Sequence, residues 1–279
     1  MNSMKVLVTG MMGRIGSRLP GPLQEAGFLV RGMDLKSGGD ILSDSFDEAF
    51  KDYYPGAVIH LAGQSDVQES IEDPYEDARQ NILGTIKVLE AARDIDAKVV
   101  VAASGGTIFD TKSPYGLSKK TAAGYAALYN VLYGLDVVTL ALSNVYGPGM
   151  GGVVGEFLAD WERVDAEGDP VGVTITGDGL QTRDFIYVDD VVKAFVKSLD
   201  WESGYYEVGT GVSTSVFEVF RQLTYLWGYT PKMQYGLALL GEAKEVTLRC
   251  DLDWTPVPLA EGLRMTLEEH RARHPGWGT

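Results

Sequence analysis

The stretch Lys5-Val6-Leu7-Val8-Thr9-Gly10-Met11-Met12-Gly13-Arg14-Ile15-Gly16 decides how the chain is read. A short apolar run ends in three spaced glycines, where an extended segment gives way to a helical one. Glycines at such a junction allow a tight turn and let backbone N–H groups approach a pyrophosphate at the start of the helix. Asp34 closes the next apolar run, 18 residues after Gly16. That is the place for a carboxylate that accepts from a ribose 2′-hydroxyl and repels a 2′-phosphate. Together these signals predict a dinucleotide site built on Gly10, Gly13, Gly16 and Asp34 that prefers NAD to NADP, with Arg14 a candidate phosphate contact. Pro20 and Pro22 conflict with one continuous helix after the loop, because an interior proline costs about 3 kcal/mol. The helix is expected to kink, or to break and restart with Pro22 in its first turn.

Outward from this stretch, short apolar runs alternate with helical ones. Lys5–Thr9, Phe28–Met33, Ala57–Leu61, Lys98–Ala103 and Val137–Leu142 have the pattern of strands, and Pro74–Arg93 and Ser118–Tyr133 are amphipathic. That βαβα order implies an α/β fold with a doubly wound parallel sheet. Past about residue 148 the pattern loosens into a Gly-rich stretch, a helix near Glu156–Glu167, strands near Val171–Thr176 and Thr182–Tyr187, a capping box at Ser215-x-x-Glu218 and a terminal helix over Leu259–Arg273. The division expected is a dinucleotide domain over 1–148, with some exchange of segments in the second half, and a smaller α/β substrate lobe over 149–279.

The 279 residues are 45% hydrophobic and 23% charged, an ordinary globular composition. No run approaches the roughly 20 apolar residues of a membrane span, and the N-terminus is too short of apolar residues for a signal-peptide core, so a cytoplasmic location is expected. A net charge of −15 repels nucleic acid and anionic lipid. One cysteine, Cys250, excludes an internal disulfide, and His60, His270 and His274 show no ligand spacing, so no metal is expected. His60, in an apolar run, has the pattern of a core residue. Trp161, Trp201, Trp227 and Trp254 are expected in packing.

Tyr115 and Lys119 share a helix face at i, i+4. An ammonium beside a phenol lowers the phenol's pKa toward neutrality and makes it usable as a general base or acid. The strand before this helix ends near Ser104 and Thr107, two hydroxyls that are candidates to hold a substrate oxygen. Gln181, two residues before Arg183, is a candidate to line a substrate channel.

These residues resemble the extended short-chain dehydrogenase/reductase superfamily, in its NAD-dependent epimerase/dehydratase family, over nearly the whole chain. The marks are the glycine loop, Asp34, Gly39-Asp40-Ile41, His60-Leu61-Ala62-Gly63, Asp73-Pro74-Tyr75 leading to Asn81-x-x-Gly84-Thr85, Tyr115 with Lys119, Asn144-Val145-Tyr146-Gly147-Pro148-Gly149, and Arg183-Asp184-Phe185-Ile186-Tyr187-Val188-Asp189-Asp190. The resemblance implies a Rossmann-like fold that holds NAD through the loop residues Gly10, Met12, Gly13, Arg14, Ile15 and Gly16. Further contacts are implied from Asp34 and Leu35, from Asp40 and Ile41 near the adenine, from Leu61, Ala62 and Gly63, and from Asn81, Ser143 and Val145. Lys119 would also bind the nicotinamide ribose and Tyr115 would serve as base. Asn144, Gln181 and Arg183 would meet a nucleotide-sugar, with UDP the expected nucleotide. Two long helices that pair across a two-fold axis in similar proteins imply a homodimer.

The chain departs from that pattern in places. The catalytic hydroxyl residue is expected four residues before an aromatic, but Gly105 stands four before Phe109, which leaves Ser104 or Thr107 for the role. Tyr115 follows Ser104 by only 11 residues, so a longer pocket loop is missing. One arginine of the diphosphate clamp matches Arg183, while the second position is Leu239-Leu240. Gly105-Gly106 stand where dehydratases and decarboxylases of the family carry an acid, and no Cys and His pair suits a 3,5-epimerase. A nucleotide-sugar 4-epimerase leads by elimination. A simple NAD-linked sugar or uronate dehydrogenase comes second, since a substrate without a diphosphate needs neither the loop nor the second arginine. A non-catalytic dinucleotide sensor or scaffold comes third, because Tyr115 and Lys119 are both retained.

Overall fold

The computed structural model describes residues 3–105, 112–167, 172–228, 230–237 and 244–273. They form two compact units, one of Met1–Leu142 with Val191–Glu207, the other of Ser143–Asp190 with Val208–Thr279.

The first unit is a six-stranded sheet in the order β2-β1-β3-β4-β5-β9. Its strands are β1 (Lys5–Thr9), β2 (Leu29–Met33), β3 (Ala57–His60), β4 (Lys98–Ser104), β5 (Val137–Leu142) and, from the later segment, β9 (Gly204–Val208). The pairs from β2 through β5 are parallel, with Val6, Leu7 and Val8 of β1 opposite Ala57, Val58 and Ile59 of β3. β1, β3 and β5 are almost continuously apolar and buried, as strands covered on both faces must be. Chain order reverses between β1 and β3, and a doubly wound sheet opens its ligand crevice at the carboxyl ends of the strands at such a point.

On one face, Leu7, Val58, Val99 and Val137 pack with Phe46 and Phe50 of α2 (Asp44–Tyr53), Val88 and Leu89 of α5 (Gly84–Asp94), and Ala126 and Tyr129 of α6 (Pro114–Tyr133). The expected helix over 74–93 is α4 (Pro74–Ala78) running through a π turn (Arg79–Leu83) into α5; Gly84 N–H bonds Arg79 O, an i to i−5 step. α3 (Val67–Glu72) packs on α4 and α6. The proline conflict resolves by a break: a 3₁₀ turn over Gly16–Arg18 ends, and α1 (Pro20–Glu25) restarts with both prolines in its first turn, where no intrahelical N–H is needed.

The second unit gathers β6 (Asn144–Tyr146), β10 (Ser213–Ser215) and β12 (Glu245–Val246) around β8 (Thr182–Tyr187), and pairs β7 (Val173–Thr176) with β11 (Met233–Gly236). Its core joins α7 (Gly152–Glu167), α9 (Val216–Trp227) and α10 (Leu259–Arg273); α8 (Val188–Lys197) begins in this unit and continues into the first. Ser215 caps α9, accepting from Glu218 N at 3.1 Å. Trp161 stacks on Trp227 with centroids 5.1 Å apart, Trp254 Nε1 donates to the buried Asp190, and Trp201 lies against Tyr206. Among the described residues no helix is long and apolar enough to cross a membrane.

His60 lies in the core of the first unit, and its hydrogen bonds determine its tautomer. Thr85 Oγ1 donates to Asn81 O at 2.7 Å, so it accepts from His60 Nε2–H at 3.1 Å; His60 Nδ1 then accepts from Thr9 Oγ1 at 2.8 Å. Thr9 Oγ1 in turn accepts from Ala62 N. Burial, with the nearby Lys119 charge, pushes the imidazole down to about 3. Between that value and the ordinary 6.5 the unfolded chain binds the extra proton, so stability is full above 6.5 and is lost on acidification, by up to about 1.4 kcal/mol per pH unit. His60→Asn is expected to lower stability at neutral pH but to flatten its decline between pH 6.5 and 4, measured by urea unfolding at each pH. Equal slopes for the two proteins would refute this. In the second unit a Cβ on Gly262 would overlap Tyr146 Oη, and Tyr146 is fully enclosed. Gly262→Ala should therefore destabilise by about 1–3 kcal/mol, seen as a lower midpoint of thermal unfolding.

Candidate active site

The carboxyl edge of the first unit's sheet collects most of the residues singled out above. Gly10, at φ +71°, turns the chain out of β1 with its N–H on Met33 O at 2.8 Å. A Cβ there would come within 2.7 Å of Ala62 N, and one on Gly16 would overlap Gly10 O. The loop's backbone is thus packed against itself and against the turn after β3, a cradle that any side chain at these two positions would fill. Gly13 N–H bonds Gly10 O at 3.0 Å. Arg14 is exposed and Met12 half exposed. The short 3₁₀ turn behind the loop carries little of the macrodipole expected of a long helix.

Asp34 follows β2. Its carboxylate accepts from Met12 N at 2.8 Å and from Lys36 N at 2.9 Å, which ties the glycine loop to the end of the neighbouring strand and leaves acceptor capacity on each oxygen. Leu35 beside it is exposed. Asp40 caps its own turn through Leu42 N, while Ile41 is buried against Gly84. Leu61, Ala62 and Gly63 leave β3 on the Thr9 and His60 network, and Gly63 runs so close to Asn81 Oδ1 that a Cβ would overlap it. Asn81, 2% exposed, donates from Nδ2 to Asp77 Oδ1 at 2.9 Å and to Ser118 Oγ at 3.0 Å; its own Oδ1 has no partner among the described residues.

Tyr115 and Lys119 stand in the first turns of α6, which Ser113 caps and Pro114 opens. Ser104, at the end of β4, hydrogen-bonds the Tyr115 side chain. Burial raises the phenol's pKa, the Ser104 hydrogen bond pulls it back, and the Asp77 carboxylate raises it again. The sequence leads to the expectation that Lys119 lowers this pKa; the net direction among the protein's own groups is upward, because desolvation and the Asp77 charge act in the same direction. Lys119 is itself lowered to about 8 by burial, with Asp77 opposing the shift. Asp77 is 1% exposed and is the site residue the sequence reading missed. In Asp73-Pro74-Tyr75-Glu76-Asp77 it is one acid of three, and its only signal is lying four residues before Asn81 on a helix.

The remaining residues fall in the second unit. Ser143 N–H bonds Val208 O, and Ser143 Oγ is buried without a partner among the described residues. Asn144 is exposed at the start of β6, and Val145 packs into that unit's core. Gln181 folds back onto Thr176 O at 2.8 Å. Arg183 is buried at 8% exposure with its guanidinium on Thr182 O, while neighbouring Asp184 accepts from Thr210 N, Thr210 Oγ1 and Gly211 N. Thr107 and Leu239-Leu240 lie outside the described residues. No group of three His, Cys, Asp or Glu among the described residues is placed to hold a metal.

A model of the NAD dependent epimerase/dehydratase family matches residues 6–209. UDP-glucose 4-epimerase of Mycolicibacterium smegmatis is 34% identical over 96% of this chain and 99% of its own length. The crystal structure of UDP-glucose 4-epimerase with UDP-glucose from Thermotoga maritima superposes with a TM-score of 0.88 at 31% identity, covering 97% of this chain and 99% of that one. The UDP-glucose 4-epimerase complex with NAD from Thermus thermophilus gives 0.87 at 32% identity, covering 96% and 99%. The ordered motifs, the doubly wound sheet and these matches agree, and the chain belongs to the NAD dependent epimerase/dehydratase family.

Proposed function

We propose that the chain is an NAD-dependent epimerase that inverts the C4 hydroxyl of a UDP-linked hexose, the first unit binding the dinucleotide and the second the nucleotide-sugar. The observation that carries this reading is Tyr115, bonded to Ser104 and followed one turn on by Lys119, at the same sheet edge as the glycine loop and Asp34. The activities of the similar proteins support the substrate class, and the NAD of the Thermus enzyme supports the cofactor.

The glycine cradle fits a pyrophosphate and Asp34 fits a ribose diol; Asp40 and Ile41 would hold the adenine end and Lys119 the nicotinamide ribose. When bound, NAD supplies a carbon that accepts a hydride and returns it in the same turnover, together with a cationic ring that favours the phenolate. Tyr115 Oη takes the C4 hydroxyl proton and gives it back after the 4-keto sugar has turned over. Ser104 orients that oxygen, Lys119 steadies the phenolate, and Arg183 with Asn144 and Gln181 is assigned to the UDP-sugar.

Incubated with UDP-glucose, the protein is expected to give UDP-galactose with no net NADH. Stoichiometric NADH from a free sugar or uronate would instead make it a dehydrogenase. Tyr115→Phe should lower turnover by about 10²–10⁴; turnover at the parent rate would sink the catalytic reading. A homodimer belongs to the same proposal, because α6 exposes Leu117, Leu128, Val131, Leu132 and Tyr133. Val131→Glu is expected to shift sedimentation from dimer to monomer, and a parent protein that sediments as a monomer would rule the dimer out.

A further inference from the structure

A carboxylate taken out of water is costly unless its oxygens are matched by donors or by an opposite charge. Asp77, on α4, is 1% exposed. Its Oδ1 accepts from Asn81 Nδ2 at 2.9 Å, and its Oδ2 is buried with no hydrogen-bond partner among the described residues. The hydrogen-bonded neighbours of Asp77 lead to the proposed catalytic pair: Asn81 Nδ2 reaches Ser118 Oγ at 3.0 Å, Ser118 Oγ donates to Tyr115 O at 3.1 Å, and Ser118 is adjacent to Lys119. α4 packs directly on α6, the helix that carries both members of the pair.

We propose that Asp77 is a positioning residue for the Tyr115 and Lys119 pair, its buried, half-satisfied carboxylate supplying the counter-charge of the Lys119 ammonium. The inference rests on the reading of Tyr115 as base. Asp77 acts electrostatically on both side chains, raising each, so it opposes the loss of charge that burial imposes on Lys119 and keeps Tyr115 protonated. Lys119 also faces His60 on β3, whose imidazole is neutral. Glu76 of α4 and Arg79 in the π turn are tied to each other at 2.7 Å. On α3, Ser70 is buried with its hydroxyl on Val67 O, and Glu69 lies toward Gln64. With the carboxylate in place, burial and Asp77 both act against ionisation of Tyr115, and a positive charge beside it would act the other way.

The test reads Lys119 directly. Competitive acetylation of the unloaded protein with acetic anhydride across pH 6–10, quantified by mass spectrometry, gives the midpoint at which Lys119 becomes reactive. Asp77→Asn keeps the size and the acceptor for Asn81 and removes only the charge. It is expected to move that midpoint acidward by about one pH unit or more. Asp77→Glu, which retains the charge, should keep the midpoint near the parent value. Where Asp77→Asn does not fold, Asp77→Ser removes the charge with a smaller group and gives the same reading. In turnover of UDP-glucose, both limbs of the pH profile should move acidward with KM little changed, because a lost negative charge lowers Tyr115 and Lys119 alike. An unmoved labelling midpoint in the neutral variants overturns the proposal. A shifted midpoint in a protein whose Tyr115→Phe variant turns over normally would retain Asp77 as the counter-charge and overturn the base assignment instead.

Discussion

The carboxyl edge of the sheet is organised by one neutral imidazole. His60 accepts from Thr9 on β1 and donates to Thr85 on α5, while Thr9 accepts from the backbone just past β3. Each of these groups has one arrangement that satisfies its partners, so the ends of β1 and β3 and the start of α5 are held to a single relative position. The glycine loop leaves from the first of these ends and Leu61-Ala62-Gly63 from the second, while Thr85 donates to the backbone of Asn81. A protonated ring would break the pattern at Nδ1, where a hydroxyl hydrogen already points. The geometry of this edge therefore depends on a residue that stays uncharged because it is dry.

Electrostatics around the site follow the same economy. The chain carries a net charge of −15, and its field gives no help to an anionic ligand. What a pyrophosphate would meet there is local: backbone N–H groups of a loop in which Gly10 and Gly16 leave no room for a side chain. The half-buried Lys119 ammonium is matched, in this proposal, by the buried Asp77 carboxylate, so the pair adds little net charge to the interior while still biasing the protonation equilibria nearby.

Much of this was legible in the sequence where a local rule and the tertiary outcome coincide. Strands β1 and β5 start and stop at the residues where their apolar runs do, and Ser215 caps a helix as its spacing requires. Pro20 and Pro22 announced a broken helix because ring chemistry is local. β6, β10 and β12 were not legible, since two or three residues carry no periodicity and become strands only by pairing with β8. Among the site residues, the glycines and Asp34 announce themselves by position after strands. Asp77 does not, because burial of one acid among several on a helix is decided by what packs over it, and the raised phenol of Tyr115 follows first from its own desolvation and only then from that hidden neighbour.

The i to i−5 step from Gly84 to Arg79 has a consequence for how this segment can vary. Each residue of an α-helix advances the face by about 100°, so the extra residue in the π turn sets the angle between two faces that serve different masters. Upstream, Asp77 on α4 accepts from Asn81 inside the turn, which in turn reaches Ser118 of α6; downstream, Val88, Leu89 and Ala92 look into the sheet. Removing one residue from Arg79–Leu83 would leave each half a good helix and turn one face away from its target. The segment is in effect a spacer with a phase, tolerant of substitution at its exposed positions and intolerant of any change in length.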